Sequence, residues 1–153
     1  ETVSDLGGFA DPQSPDTFER SKLRWRSLGH SPHAEVLRFY RDLIAARKRY
    51  PCLSNCDKTR TRVDYDEGRR WISVGREDEE GTGALLLCNF SSDAQAVGLE
   101  LNSAWQLALW SGDRLYGGEA GSVAPARELG GDEGGAHTEV QLAGWSAALY
   151  VRT

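Results

Sequence analysis

The chain has 153 residues, 39% of them hydrophobic and 27% charged, which leaves room for one ordinary domain with a short appendage and excludes two large ones. Its formal net charge of −5 is uneven: residues 1–50 hold nine Lys/Arg against seven Asp/Glu, and residues 51–153 hold nine against sixteen. The acidic second part repels phosphate backbones and argues against a nucleic-acid partner. No apolar run approaches the roughly 20 residues of a membrane span, and the start carries no signal-peptide pattern.

The chain begins at Glu1 and contains no Met, so the expectation is a processed, truncated or excised piece. Residues 1–31 are rich in Gly, Pro, Ser and Asp and show no sustained period, which predicts an extended, loop-like lead-in. Within it, Leu23 and Trp25 are an apolar pair that a solvated tail does not need. Ser31-Pro32 then reads as a helix start, with Ser31 at the N-cap and Pro32 in the first helical position. Val36, Leu37, Tyr40, Leu43, Ile44 and Arg47 follow the i, i+3, i+4, i+7 spacing of an amphipathic helix. Arg47, Lys48 and Arg49 suit its C-terminal end, and Pro51 stops it.

From residue 58 the period changes to two. Strands are predicted at Thr59–Tyr65 and Arg69–Arg76 around an Asp66-Glu67-Gly68 turn, then at Thr82–Phe90. Gln95–Leu101 is read as the partner of that third strand, followed by Trp105–Trp110. Thr138–Leu142 and Trp145–Arg152 are read as a closing hairpin around Ala143-Gly144. About seven short strands with frequent turns predict a mainly β chain: an antiparallel β-sandwich preceded by one amphipathic α-helix and an extended N-terminal segment. The division falls between residues 1–57 and 58–153.

Between Ser111 and His137 lie eight glycines. The Gly117-Gly118 and Gly134-Gly135 pairs lack the Gly-Lys-Ser/Thr of a phosphate loop, so a surface loop is expected. Three cysteines fit no disulfide scaffold. Cys52 and Cys56 have no further ligands at metal-site spacing, and Cys88 falls in an apolar run. No metal or cofactor is expected, and a reducing, cytoplasmic setting suits all three thiols.

No Gly-x-Ser-x-Gly elbow is present. Glycoside hydrolysis needs two carboxylates held roughly 5–10 Å apart. Asp64, Asp66, Glu67 and the run Glu77-Asp78-Glu79-Glu80 fall at hairpin ends, where acidic residues commonly face water. No catalytic residue is nominated. Of five tryptophans, at Trp25, Trp71, Trp105, Trp110 and Trp145, Trp71 and Trp105 fall at inward positions. Core packing, sugar stacking and docking onto a neighbouring domain all remain open for the set.

Asp11-Pro12-Gln13, with Thr17-Phe18-Glu19-Arg20-Ser21-Lys22-Leu23-Arg24-Trp25, resembles a stretch of the malto-oligosyltrehalose trehalohydrolases, members of the α-amylase superfamily. Leu37-x-x-Tyr40-Arg41-Asp42-Leu43-Ile44-Ala45-x-Arg47 is similar to the last helix of that family's (β/α)₈ barrel. Leu86-Leu87-Cys88-Asn89-Phe90-Ser91, Tyr116-Gly117-Gly118 and Leu142-Ala143-Gly144-Trp145-Ser146-Ala147-Ala148-Leu149-Tyr150 resemble parts of its C-terminal sandwich. Arg24, where an acidic residue is common, and Gly144, in place of a frequent Pro, depart from the pattern.

The resemblance implies the C-terminal, non-catalytic part of an enzyme that hydrolyses an α-1,4 bond to release trehalose, with the catalytic carboxylates on a barrel preceding Glu1. It makes that barrel the partner, reaches α-glucan or maltooligosyl trehalose only through the parent, and leaves the piece inactive alone. Lys22 and Trp25 become candidates for substrate contact. The alternatives are an α-glucan-binding accessory module, or the equivalent domain of a branching enzyme or other amylase relative. Without the barrel, the Val36/Tyr40/Leu43/Ile44 face is expected either to self-associate or to fold onto the sandwich.

Overall fold

The computed structural model describes residues 10–119, 124–130 and 136–152; Gly134-Gly135 lies outside them. The lead-in contains a seven-residue helix, α1 (Pro15–Ser21), followed by a 3₁₀ turn at Trp25–Gly29. Pro15 opens α1 and Asp16 lies in its first turn, with an Arg20–Asp16 pair four residues apart at 2.8 Å. These are sound helix signals, but seven residues are too few to show a period, which is why the sequence reads as loop.

The amphipathic helix, α2, runs from His33 to Arg49. Its start differs from expectation. Pro32 itself occupies the N-cap position and no side chain caps the helix. The Ala34 N–H is already taken by the His30 carbonyl at 3.0 Å, so Ser31 is left one residue outside the cap.

Eight strands follow: β1 (Thr61–Asp66), β2 (Trp71–Glu77), β3 (Gly83–Asn89), β4 (Gln95–Leu101), β5 (Trp105–Trp110), β6 (Glu128–Leu129), β7 (Ala136–Leu142) and β8 (Ala147–Arg152). A six-stranded sheet in the order β1-β2-β3-β8-β5-β6 faces a two-stranded sheet, β4-β7, and the pairings are antiparallel. The mainly β sandwich behind a helix is as expected, and the β1–β2 hairpin is present.

Two pairings are not as read. β4 joins β7 rather than β3, and β7 and β8 lie in opposite sheets instead of forming a closing hairpin. Burial explains the second. Four consecutive residues of β8, Ala148–Val151, are buried, the signature of a strand covered on both faces. It therefore runs between β3 and β5, and the Ala143–Ser146 link becomes a crossover between sheets. Gly144 permits that crossover, because a Cβ there would collide with the Ser92 carbonyl.

The main core lies between the sheets, around Leu85, Leu87, Val97, Val140, Leu142 and Tyr150. A smaller core on the outer face of the large sheet joins Ala46 of α2 and Cys52 to Ala84 and Leu149.

The acidic run is also not uniformly solvated. Asp78 is 8% exposed, and its carboxylate accepts bonds from the Thr82 hydroxyl, from Thr82 N–H at 2.9 Å and from Glu80 N–H at 3.0 Å. The Thr82 hydroxyl first, then those amides, hold the Asp78 carboxyl below its ordinary value of 3.8, against the opposing effect of burial. A depressed native value stabilises the fold above the ordinary value, and that contribution is lost as pH falls through the native one. Asp78→Asn is therefore expected to lower stability at pH 7 and to flatten its decline below about pH 4, as urea unfolding across the acid range will show.

Candidate functional site

Within the described residues, α2 offers two unlike faces. One grips the sandwich through Glu35, Phe39, Asp42 and Ala46. Phe39 stacks at a tilt on Tyr116, with ring centroids 5.0 Å apart. The Tyr116 hydroxyl donates to Asp42 Oδ2 at 2.8 Å, and Gly117, with φ of 87°, carries the backbone past Glu35. Burial first, and then the Asp42 carboxylate, push the Tyr116 hydroxyl up to about 12. Tyr116→Phe is expected to cost about 1 kcal/mol and to speed amide exchange in the first half of α2. Because the native value is raised, this contribution is complete below the ordinary value of 10 and disappears as pH rises through about 12.

The other face is the predicted apolar stripe, and it is open. Val36 is 50% exposed, Tyr40 62%, Leu43 36% and Ile44 53%. The stripe does not fold onto the sandwich, which removes one of its two expected fates.

The lead-in adds to this surface. Phe18, Leu23, Trp25 and Leu28 are all exposed. Lys22 Nζ lies 2.6 Å from Glu19 Oε1 and 4.6 Å above the Phe18 ring. Lys22 and Trp25 line one open groove of about 590 Å³ with Leu23, Leu28 and His33. The sequence reading paired Lys22 with Trp25 but passed over His33, since a lone histidine at a helix start carries no motif.

Three of the tryptophans are packing residues: Trp105 is buried in the main core, and Trp71 and Trp110 lie against it. Trp25 and Trp145 are exposed. Cys52 is buried, Cys88 partly so and Cys56 exposed. Burial pushes the Cys52 and Cys88 thiols up, away from the reactive thiolate range. Among the described residues no three His, Cys, Asp or Glu side chains gather as a metal site, and no helix is long and apolar enough to cross a membrane. The exposed apolar residues of α2 and of the lead-in are thus the surface feature that stands out among the described residues.

No protein-family model matches the chain. In fold, it is similar to part of the trehalulose synthase MutB from Pseudomonas mesoacidophila MX-45, with a TM-score of 0.53 at 20% identity, covering 78% of this chain and 20% of that one. A MutB mutant from crystals soaked with trehalulose gives 0.52 at 21% identity, over 74% of this chain and 17% of the other. These likenesses concern the fold alone. In sequence, the chain is similar to hydrolases that are named for a trehalose-containing oligosaccharide.

Within that class it is similar to malto-oligosyltrehalose trehalohydrolases, as the residue patterns indicate. It is 40% identical to the one from Mycobacterium tuberculosis over 99 residues, covering 63% of this chain and 16% of the relative. With the Rhizobium sp. (strain M-11) protein it shares 41% over 81 residues, 53% of this chain and 13% of the other. With the Deinococcus radiodurans protein it shares 33% over 102 residues, 61% and 16%. The chain thus spans about one eighth to one sixth of the length of these relatives.

Proposed function

We propose that this chain is the C-terminal, non-catalytic part of a cytoplasmic glycoside hydrolase similar to malto-oligosyltrehalose trehalohydrolase, and that it stabilises a catalytic barrel preceding it. The supporting observation is the two-sided chemistry of α2. Its Glu35/Phe39/Asp42/Ala46 face is anchored to the sandwich, while Val36, Tyr40, Leu43 and Ile44 stay open. A last barrel helix needs both faces, one for its own sandwich and one for the barrel strands. The relatives, six times longer than the matched stretch, have room for that barrel.

A chimera in which residues 10–152 of this chain replace the matching region of the M. tuberculosis relative is expected to release trehalose from maltooligosyl trehalose. The chain alone is expected to release none. Trehalose from the chain alone, or a chimera that folds without activity, overturns the reading.

One observation favours a direct sugar contact besides. Lys22 and Trp25 line the same groove, with an aromatic face for stacking and a cationic donor for hydroxyls. In the chimera, Trp25→Ala then raises KM for maltooligosyl trehalose, while an unchanged KM leaves the groove a structural one.

A further inference from the structure

Among the described residues, two that are not glycine have a left-handed backbone: Arg70, with φ of 60°, and Trp145, with φ of 51°. That conformation costs a residue with a side chain, and where it persists it often marks a ligand clamp. Both residues flank one aromatic. Phe90 N–H donates to the Arg70 carbonyl at 2.8 Å, and Trp145 N–H donates to the Ser91 carbonyl at 2.9 Å. These bonds continue the β2–β3 and β3–β8 registers, setting Phe90 opposite Arg70 on one side and Trp145 on the other.

Phe90 faces away from the main core. Leu85 and Leu87 of β3 point into it, so Cys88 and Phe90 do not share one face with Leu87; the even-numbered positions alternate to the outside. Tyr65 stands on the same outer face, since it pairs with Ile72 and Ile72 pairs with Cys88. Phe90 is 54% exposed, Tyr65 61% and Trp145 69%. Ile72 and Cys88, which lie between them, are half-buried. Large rings therefore border a lower floor, which makes a shallow trough. Two strand spacings across and two residues along put Tyr65 roughly 12 Å from Phe90. The helix α2 meets this sheet through Ala84 and Leu149, so the trough is a surface apart from the open stripe of α2.

The groups around the trough select its ligand. Aromatic faces stack on the apolar C–H faces of a sugar ring, and a guanidinium offers a rigid fork of donors to hydroxyls. Arg69 is held by Asp66 at 3.8 Å, whereas Arg70 has no acidic partner among the described residues. The acidic balance of residues 51–153 repels an anion, and the guanidinium at the rim repels a cation. A neutral, hydroxyl-rich chain long enough to bridge the rings meets both conditions. Backbone that fixes Arg70 and Trp145 in advance spares such a ligand the cost of ordering them.

We infer that Tyr65, Phe90 and Trp145, with Arg70 beside them, form a carbohydrate-binding surface separate from the Lys22/Trp25 groove, and that it holds a stretch of α-1,4-glucan. The linkage rests on the proposed function. The ligand class rests on the aromatic faces and the charge balance.

The test is retardation in gels containing glycogen, run on the chain alone and on the M. tuberculosis chimera. Both carry Trp25→Ala, which silences the other groove. Retardation of the chain is expected, with a dissociation constant on the order of 1 mM for a shallow open surface. Trp145→Asn and Tyr65→Ala are each expected to weaken it at least about tenfold, in the chain and in the chimera alike. Asn tolerates the left-handed backbone at position 145, and Tyr65 lies on a regular strand, so both variants are expected to melt within about 2 °C of their parent. Should position 145 fold poorly, Tyr65→Ala carries the test. A chain that glycogen does not retard overturns the inference, as does retardation that neither substitution weakens. Equal retardation by hydroxyethylcellulose overturns the α-1,4 assignment. A chimera indifferent to both substitutions shows the trough taken by the rest of the protein and overturns it too. A chimera that releases no trehalose removes the proposed function instead, and leaves the glycogen result on the chain to stand by itself.

Discussion

Asn89→Ala is expected to lower stability by about 3 kcal/mol, which corresponds to a fall in Tm of roughly 6–12 °C for a chain of this size. Asn89 is 2% exposed, and its amide joins three parts of the sandwich. Its Nδ2 donates to the Asp93 carbonyl at 2.8 Å, to Ala143 at 3.0 Å and to Leu142 at 3.3 Å. Its Oδ1 accepts from Ser91 N–H at 2.9 Å. The end of β3, the turn into β4 and the crossover from β7 to β8 therefore share one clip. Alanine leaves those backbone groups without a partner in a site water does not reach freely, and each orphan costs about 1–3 kcal/mol. Asn89→Asp is expected to do at least as much damage at neutral pH, because a carboxylate then faces three carbonyl oxygens. Thermal melts and urea titrations of the three proteins test this. A variant with alanine that melts within about 2 °C of wild type would show that the crossover holds itself.

Asn89 also marks where the sequence stops being informative about the fold. The alternation of Gln95–Leu101 and Trp105–Trp110 gives β4 and β5 to the residue, because period and flanking turns are local properties. Partner choice is not local. Ala143-Gly144 says that the chain turns, but only the two-sided burial of β8 and the reach of Asn89 to Leu142 and Ala143 say that it changes sheets. The same limit applies to α2. Its apolar stripe is legible from spacing, yet the face that grips the sandwich contains Glu35 and Asp42, which hydropathy assigns to water. The Tyr116 hydroxyl, 74 residues away, supplies the missing reason for Asp42, whereas a buried Glu35 carboxylate oxygen has no hydrogen-bond partner among the described residues. Asp78 is a third case: an acid in an acidic run, distinguished from its neighbours only by Thr82 folding back onto it. Lys22 and Trp25 were legible as a pair through resemblance, while His33 in the same groove needed coordinates.

The open stripe has a direct consequence for the chain by itself. It is expected to self-associate in sedimentation, forming a weak dimer through Val36, Tyr40, Leu43 and Ile44. Four half-exposed apolar side chains per copy cover roughly 800 Å² in a symmetric pair, below the about 1,200 Å² where stable interfaces begin. A dissociation constant on the order of 10 μM is therefore reasonable. Leu43→Asp sets an unpaired carboxylate into that contact on both copies and is expected to weaken it at least about 100-fold, or about 3 kcal/mol. The same substitution costs the monomer little beyond helix propensity, about 0.5 kcal/mol, since the gripping face of α2 is unchanged. Monomeric variant with nearly unaltered melting is thus the signature of an interface residue, and a large fall in Tm is that of a core residue. A wild-type chain that is already monomeric at 100-fold above the expected constant removes self-association and is in keeping with the proposed role of the stripe as a face for a preceding domain.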